Sequence, residues 1–205
     1  MRRSDIKILI MTKVLILGQR GNTLQQFLDG QHVLATSERI SEGFITDNNI
    51  GLLISYGYRF ILPQSIIDEV NGNAVNLHIS LLPWNKGADP NFWSWYEETP
   101  KGVSIHWITA GLDEGQIVSQ REVNLTPEMT LKESYERLGA VIVELFGENI
   151  DSILDGSAPR IEQQTGGTSH KSKELLMLWN LFPLGWDTPC ELVSEVGRSN
   201  REITF

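Results

Sequence analysis

A chain of 205 residues with 26 acidic and 17 basic side chains carries a formal net charge of −9, and it is long enough to bury the core of one domain. Such an acidic surface repels phosphate backbones, which argues against a nucleic-acid partner for the domain as a whole. Since the sequence contains one cysteine, no intramolecular disulfide can form, and we expect a cytoplasmic location.

The N-terminal residues do not predict a membrane segment. Residues 1–11 weakly resemble a signal peptide, but Asp5 and Lys7 interrupt the apolar stretch and no small-residue cleavage site follows. We interpret them as a leader or as an alternative start before Met11. No apolar run approaches the ~18 residues of a membrane span, so we expect no membrane partner.

The first predicted unit is a strand, a turn and the start of a helix. Val14–Leu17 is a continuous apolar run, typical of a strand buried on both faces. After the turn at residues 18–21, Asn22 can cap a helix with Gln25 as its capping-box partner. Backbone N–H groups at a helix start attract anions, so Gly21 and Asn22 are candidate contacts to a substrate phosphate. The turn lacks the dinucleotide fingerprint and the P-loop lysine. It could equally be an ordinary turn that only joins a strand to a helix.

Two further buried strands follow. Residues 52–55 form the second strand, residues 57–63 the loop at its carboxyl end, and residues 64–70 a short helix. Residues 73–79 form the third strand. Because ligands of open α/β sheets bind outside the carboxyl ends of the strands, the loop at 57–63 and the stretch at 76–83 are predicted to border a binding site.

The second half of the sequence predicts an aromatic helix, two strands and a long helix. The aromatic helix begins at Pro90 and runs through Tyr96, and a Gly-rich turn joins strands at residues 103–108 and 116–123. A capping box at residues 130–133 begins an amphipathic helix that Gly156 ends. The alternation of strands with helices predicts an α/β fold with a largely parallel sheet.

Gly166-Gly167 marks a predicted hinge. We therefore divide the chain into the segment at residues 1–11, a catalytic domain at residues 12–165 and a C-terminal extension at residues 166–205, which contains a helix near residues 173–180. Apolar side chains in the extension could pair two subunits, so a homodimer is a possible assembly. The four histidines show no metal-ligand spacing, and we expect no metal.

Three polar side chains are the candidate reacting groups. Asn76 and His78 share one face of a strand, because successive side chains alternate. A histidine exchanges a proton near neutral pH, and an amide N–H can stabilise a developing oxyanion. Asp113, in a turn, could orient His78 or take a proton through water. A structural interpretation is equally open, in which Asn76 caps a turn, His78 is a satisfied core histidine and Asp113 only shapes the turn.

Other residues also have both a structural and a binding interpretation. His106 lies within a strand beside Trp107 and fits a buried histidine at least as well as a ligand contact. Pro83 and Trp84 begin a loop in which the indole either joins the core or stacks on a base or sugar. Lys86 is a solvated loop lysine or a phosphate contact, and its neighbours favour the phosphate contact.

In combination, these segments resemble the 10-formyltetrahydrofolate-dependent formyltransferases over roughly residues 12–160. Each motif is weak alone, but their ordered combination is specific. The motifs are Asn76 to Pro83 (NLHISLLP), Gly87, Gly102 to His106 (GVSIH) and Gly111 to Gln120 (GLDEGQIVSQ). Ile79 departs from the family pattern, in which a proline often follows the histidine, at a position that does not touch the reacting groups.

The resemblance implies a Rossmann-like, mostly parallel twisted sheet flanked by helices, with a short C-terminal helical extension. It places the family's catalytic residues at Asn76, His78 and Asp113. The implied co-substrate is 10-formyltetrahydrofolate, whose formyl group passes to an amine while the amide and the protonated imidazole stabilise the oxyanion. The residues implied to border the folate are Tyr58, Arg59, Phe60, Ile61 and Leu62 in one loop and Thr109 and Gly111 in the facing turn.

Several acceptors fit the resemblance. Members that formylate initiator tRNA carry a further basic C-terminal domain, which we do not expect in a chain this short and acidic. Members that formylate glycinamide ribonucleotide use a Gly-rich loop that residues 18–22 partly match. The stretches at residues 83–93, 170–172 and 183–187 look more like the sugar-nucleotide N-formyltransferases.

We therefore expect the substrate to be a nucleotide-linked aminodeoxysugar destined for a surface polysaccharide such as an O-antigen. The alternative within the family is phosphoribosylglycinamide formyltransferase of purine synthesis. Two other classes stay open: a non-catalytic folate or nucleotide-binding module, and a hydrolase that gives the formyl group to water.

Overall fold

Eight strands form one large and one small sheet in the computed structural model, which describes residues 13–203. The strands are β1 (Lys13–Leu17), β2 (His32–Thr36), β3 (Leu52–Tyr56), β4 (Ala74–His78), β5 (Lys86–Gly87), β6 (Gly102–Trp107), β7 (Ile117–Glu122) and β8 (Ser169–His170). The large sheet has the order β2-β1-β3-β4-β6-β7, and β5 pairs with β8. The predicted leader or alternative start at residues 1–11 lies outside the described residues.

The large sheet is parallel across its first four strands. β1 pairs in parallel with β2 and β3, and β3 pairs in parallel with β4. β6 runs antiparallel to both β4 and β7. The predicted α/β class with a mostly parallel sheet is confirmed, and the two antiparallel pairings bring the polar residues of β4 and β6 side by side.

Residues 13–203 also contain six α-helices and three short 3₁₀ segments. The helices are α1 (Phe44–Asp47), α2 (Gln64–Glu69), α3 (Pro90–Tyr96), α4 (Leu131–Leu154), α5 (Ser172–Leu178) and α6 (Cys190–Ile203), and the 3₁₀ segments are Gly21–Phe27, Trp179–Leu181 and Gly185–Asp187. The predicted capping box is confirmed at the start of α4, where Thr130 Oγ1 accepts from Glu133 N at 3.2 Å and Glu133 Oε2 accepts from Thr130 N at 2.8 Å.

Apolar clusters cover both faces of the sheet. Val14 and Ile16 of β1 join the cluster under α4, whereas Leu15 and Leu17 join the cluster under α1 and α2. This double burial explains the unbroken apolar run in β1. A third cluster holds α5 and α6 against the aromatic helix α3, and it contains Cys190.

The segment after β1 differs from its prediction. Asn22 does not cap a helix, because the 3₁₀ helix already begins at Gly21 and has Arg20 as its N-cap, without a side-chain cap. The early start follows from close packing: a Cβ on Gly21 would lie 2.4 Å from Ile16 Cγ2. The sequence patterns also did not predict β2, α1, α6 or the two short strands β5 and β8.

Within residues 13–203, no helix is both long enough and apolar enough to cross a bilayer.

Candidate active site

The candidate site begins at the end of β4, where two polar side chains share one face. Val75 and Leu77 pack into the cluster under α4, so Asn76 and His78 project from the opposite face. Asn76 lies opposite His106 in the antiparallel pairing of β4 with β6. The pairing brings Asn76 Nδ2 to 3.2 Å from His106 Nε2. Two neighbouring strands therefore supply an amide and two imidazoles to one place.

Asp113 reaches the same place from the turn between β6 and β7. Its backbone is left-handed, with φ of 52°, a conformation that aspartate tolerates better than most residues. The end of the turn packs directly on the backbone of β6, because a Cβ on Gly115 would lie 1.7 Å from Trp107 O. Asp113 Oδ2 accepts from Gly87 N at 2.7 Å, and Asp113 Oδ1 accepts from Asn76 Nδ2 at 3.3 Å. The carboxylate is thus held from two sides.

Two imidazoles face this carboxylate. His78 Nδ1 lies 3.6 Å from Asp113 Oδ2, and His106 Nε2 lies 3.3 Å from Asp113 Oδ1. Both histidines are buried, with 7% and 2% of their surface exposed. The structure therefore brings Asn76, His78 and Asp113 together, and it adds His106 to the cluster.

The hydrogen bonds define where the protons lie. His78 Nε2 lies 3.0 Å from the Asn85 carbonyl oxygen, and His106 Nδ1 lies 2.9 Å from the Trp107 carbonyl oxygen. A carbonyl oxygen only accepts, so both of these nitrogens carry a hydrogen. The other nitrogen of a neutral imidazole carries a lone pair instead of a hydrogen. His106 Nε2 lies close to both Asn76 Nδ2 and Asp113 Oδ1, and His78 Nδ1 faces Asp113 Oδ2, so a hydrogen on either nitrogen would point toward the carboxylate.

These contacts stabilise the charged form of Asp113. Burial alone would raise the pKa of Asp113, but the charge of His78, the hydrogen bond from His106 and the N–H of Gly87 outweigh it, and the pKa of this carboxyl lies well below its usual range. Asp113 is thus an anion that faces two imidazoles, an arrangement suited to holding positive charge on a ring and to moving a proton.

Buried polar residues hold in place the carbonyl group to which His78 donates. Asn85 is fully buried, and its side chain donates to Glu97 Oε2 at 3.2 Å and accepts from Thr99 Oγ1 at 2.8 Å. Glu97 Oε1 lies 3.0 Å from His170 Nε2, an ion pair with poor hydrogen-bond alignment. These contacts immobilise the carbonyl that accepts from His78.

His170 is fixed in turn by its own neighbours. Its ring stacks on Trp93 with centroids 3.8 Å apart, and its Nδ1 lies 3.2 Å from Glu174 Oε2. Burial alone would lower the pKa of His170, but the ion pairs with Glu97 and Glu174 outweigh it and raise that pKa. The cation formed is therefore shared between two carboxylates.

An open cavity of about 550 Å³ lies beside the cluster, within the size range of small-molecule sites. Asn76, His78, His106 and Asp113 all line it. So does every residue that the resemblance assigns to the folate: Tyr58, Arg59, Phe60, Ile61, Leu62, Thr109 and Gly111. Their role in binding stays a prediction.

Most residues predicted to contact the second substrate lie elsewhere. Of that set, only His106 lines the cavity. Pro83 is buried and follows a cis peptide bond. Lys86 belongs to β5, whose backbone pairs with β8. Gly21, Asn22 and Trp84 also lie outside the cavity wall, and the binding role of all five stays a prediction.

Several cavity residues carry no local signal in the sequence. Arg20, adjacent to the predicted Gly21-Asn22 pair, lines the cavity with its guanidinium 4.2 Å from the centre of the Tyr135 ring. Asp89, His170 and Lys171 line it as well. The motif at residues 170–172 pointed to the right segment, whereas only the three-dimensional packing places Arg20 and Tyr135 here.

Comparison with known proteins identifies the family of this site. The family model described as formyl transferase matches residues 37–149, which is more than half of the chain. A methionyl-tRNA formyltransferase from Geobacter sulfurreducens is 30% identical over 138 residues, which cover 65% of this chain and 44% of that protein. The chain spans less than half the length of such curated relatives.

Solved structures give a fuller match. The formyltransferase PseJ from Anoxybacillus kamchatkensis, crystallised with UDP-4,6-dideoxy-4-formamido-L-AltNAc and tetrahydrofolate, is 43% identical with a TM-score of 0.83. That match covers 88% of this chain and 97% of PseJ. A 4-N formyltransferase from Francisella tularensis, 21% identical with a TM-score of 0.74, covers 90% of this chain and 86% of its own, and it shares the fold.

Proposed function

This chain belongs to the formyltransferase family, and from that premise we propose that it transfers a formyl group from 10-formyltetrahydrofolate to the 4-amino group of a UDP-linked 4-amino-4,6-dideoxy sugar. The observation that carries the proposal is the cluster of Asn76, His78 and Asp113 on the wall of a cavity in a chain that is 43% identical to PseJ.

The acceptor is inferred from PseJ because that likeness extends over nearly the whole of both chains. The methionyl-tRNA formyltransferases match only part of this chain and less than half of their own length. The net charge of −9 also disfavours an RNA acceptor. Use of the product in a surface polysaccharide, the cytoplasmic location and the homodimer stay predictions.

The cavity fits a reduced folate. Its wall combines the aromatic ring of Phe60 with the apolar side chains of Ile61 and Leu112, which are 76% and 42% exposed. Apolar groups this exposed beside a polar cluster fit a planar ligand that covers them. When bound, the folate would supply the formyl group as an amide of its own nitrogen.

The cluster can then stabilise charge on the formyl oxygen. The acceptor amine attacks the formyl carbon, and electron density moves to the oxygen. Asn76 Nδ2 and, when the ring is protonated, His78 Nδ1 are the N–H donors available to that oxygen, because His78 Nδ1 lies 3.6 Å from Asp113 Oδ2, too far for a hydrogen bond there. The 3.3 Å contact from Asn76 to Asp113 is long for a hydrogen bond, so the amide can turn toward the substrate.

A proton must also pass from the attacking amine to the leaving nitrogen. Asp113 is anionic and lies next to His78, so it can guide this proton through a water molecule. The low pKa of Asp113 makes it a weak base in the free enzyme. We infer that it acts mainly by keeping His78 charged and by orienting the water.

One incubation tests the proposal. The enzyme is mixed with 10-formyltetrahydrofolate and a panel of amines: UDP-4-amino-4,6-dideoxy-L-AltNAc, the thymidine-linked 4-amino sugar, glycinamide ribonucleotide and water alone. We expect a product heavier by one formyl group from the UDP sugar, detected by mass spectrometry. Preferred formylation of glycinamide ribonucleotide would favour the purine enzyme. Folate binding without consumption would identify a binding module, and formate release without an amine would identify a hydrolase.

A further inference from the structure

Two aspartates on the cavity wall share an uncommon backbone conformation. Asp113 has φ of 52° and Asp89 has φ of 53°. The left-handed region is unfavourable for a residue with a Cβ, and such residues persist where the surroundings fix them. Asp89 also precedes a proline, which restricts its backbone further. The chain thus keeps both aspartates of this cavity wall in a backbone conformation that costs free energy.

The two carboxylates differ in their partners. Asp113 contacts His78, His106, Asn76 and the backbone N–H of Gly87. For Asp89, residues 13–203 provide no hydrogen bond and no ion pair to the side chain. Burial raises the pKa of Asp89, with no compensating donor. A partly buried carboxylate without a partner is unusual enough in a native protein to need an explanation.

The backbone on either side of Asp89 is fixed. Ala88 N donates to His170 O at 3.0 Å, and Asp89 O accepts from Trp93 N at 3.2 Å in the first turn of α3. The residue therefore cannot relax to another conformation without breaking the β5–β8 pairing or the start of α3. A group held this way loses little entropy when a ligand binds.

Asp89 is also close to the reacting groups. Gly87, whose N–H binds Asp113 Oδ2 at 2.7 Å, lies two residues before Asp89. Two residues span at most about 7 Å. Asp89 therefore borders the same part of the cavity, within reach of a ring substituent next to an amine that approaches His78 and Asp113.

We propose that Asp89 accepts a hydrogen bond from the ring hydroxyl next to the reacting amine, and so selects the acceptor sugar. The inference rests on the proposed function. In UDP-4-amino-4,6-dideoxy-L-AltNAc, this group is the 3-hydroxyl. The hydroxyl fits better than the amine itself, because a carboxylate paired with the amine would hold it as an ammonium ion, which has no lone pair for attack. Asp89 is thus a specificity-determining residue, and Asp113 serves the reaction.

The test is a cycle that changes the enzyme and the substrate together. The value of kcat/KM is measured for the UDP sugar and its 3-deoxy analogue, with wild type, Asp89→Gly and Asp89→Asn. Glycine and asparagine both tolerate the left-handed backbone, so both variants should fold, which thermal melts check. Asp29→Asn, an exposed residue outside the cavity wall, is the matched control.

We expect wild type and Asp29→Asn to lose about 10- to 100-fold in kcat/KM with the 3-deoxy analogue, the usual effect of a hydrogen bond to a charged group. In Asp89→Gly the same deletion should cost less than about threefold, and Asp89→Asn should be intermediate. The KM for the formyl donor should not change.

If the 3-deoxy analogue lowered kcat/KM by the same factor in Asp89→Gly as in wild type, the inference would be overturned and the proposed function would stand. Absence of turnover of the UDP sugar by the wild-type enzyme would overturn the proposed function, and this inference with it.

Discussion

Replacing Asp113 by asparagine tests the charge pair on which the proposed reaction depends. Asp113 Oδ2 lies 3.6 Å from His78 Nδ1, and both side chains are nearly buried. For unit charges at that separation, Coulomb's law with an effective dielectric constant of about 20 gives about 4–5 kcal/mol. Without the carboxylate, a positive charge that forms on His78 during the reaction loses this stabilisation. Since about 1.4 kcal/mol corresponds to a tenfold change in rate, kcat should fall by about a thousandfold.

The fold should survive this substitution. Asparagine tolerates the left-handed backbone of Asp113, and its amide oxygen can still accept from Gly87 N. The depressed pKa of Asp113 means that the carboxylate adds stability above its unfolded pKa of about 3.9, which is lost as the pH falls through the lower folded pKa. The variant should therefore be less stable than wild type at neutral pH, with a difference that narrows below about pH 4.

The assay measures formylated product per enzyme at saturating concentrations of both substrates. Glu114→Gln makes the same chemical change at the next residue, which is exposed, and it should keep wild-type kcat. Folding is checked by circular dichroism at the assay temperature. If the folded Asp113→Asn variant retained kcat within about threefold of wild type, the carboxylate would not sustain the charge of His78, and the reasoning would be refuted.

Three further predictions concern the surroundings of the site. Asn85→Ala should lower the melting temperature, because buried polar partners left unsatisfied cost about 1–3 kcal/mol each; a melt equal to wild type would contradict this. The raised pKa of His170 means that its ion pairs with Glu97 and Glu174 stabilise the fold fully below the unfolded pKa of about 6.5 and are lost as the pH rises through the folded value. The melting-temperature gap between wild type and His170→Gln should thus be larger at about pH 5 than at about pH 9, and a gap that widens with pH would exclude this role. Burial raises the pKa of Cys190 to about 12, so a disulfide reagent at about pH 8 should label it only in denaturant, and rapid labelling of the native protein would show that the thiol is accessible.

Much of the fold could be predicted because local patterns and tertiary packing agree. The apolar run at residues 14–17 and the capping box at Thr130 give strong local signals, and both elements form where the sequence places them. β2 has a weaker signal because it is an edge strand with only three apolar residues, none of which is fully buried. The start of the 3₁₀ helix was misplaced at Asn22 because it depends on how closely Gly21 approaches β1, and no pattern in the sequence carries that distance.

The candidate site could likewise be predicted only in part from the sequence. Asn76 and His78 could be paired from the sequence because strand geometry fixes their common face. Asp113 could be proposed as their partner from the sequence, but a purely structural role in the turn was equally open, since turn residues carry no direction of their own. The sequence predicts His106 only as a buried histidine or a substrate contact, and the register of β4 with β6 shows that it contacts both Asn76 and Asp113.

The segment after Gly167 also matters for the geometry of Asp113. Lys86 N donates to Thr168 O at 2.9 Å, and Ala88 N donates to His170 O at 3.0 Å. These two bonds fix the peptide of Gly87 between them, and that peptide donates the shortest hydrogen bond to Asp113. A side chain on Gly87 would collide with His170 O, because its Cβ would lie 2.3 Å away. The strand β8 thus positions the carboxylate through the backbone of β5, and loosening β8 should displace this carboxylate without changing any residue of the cluster.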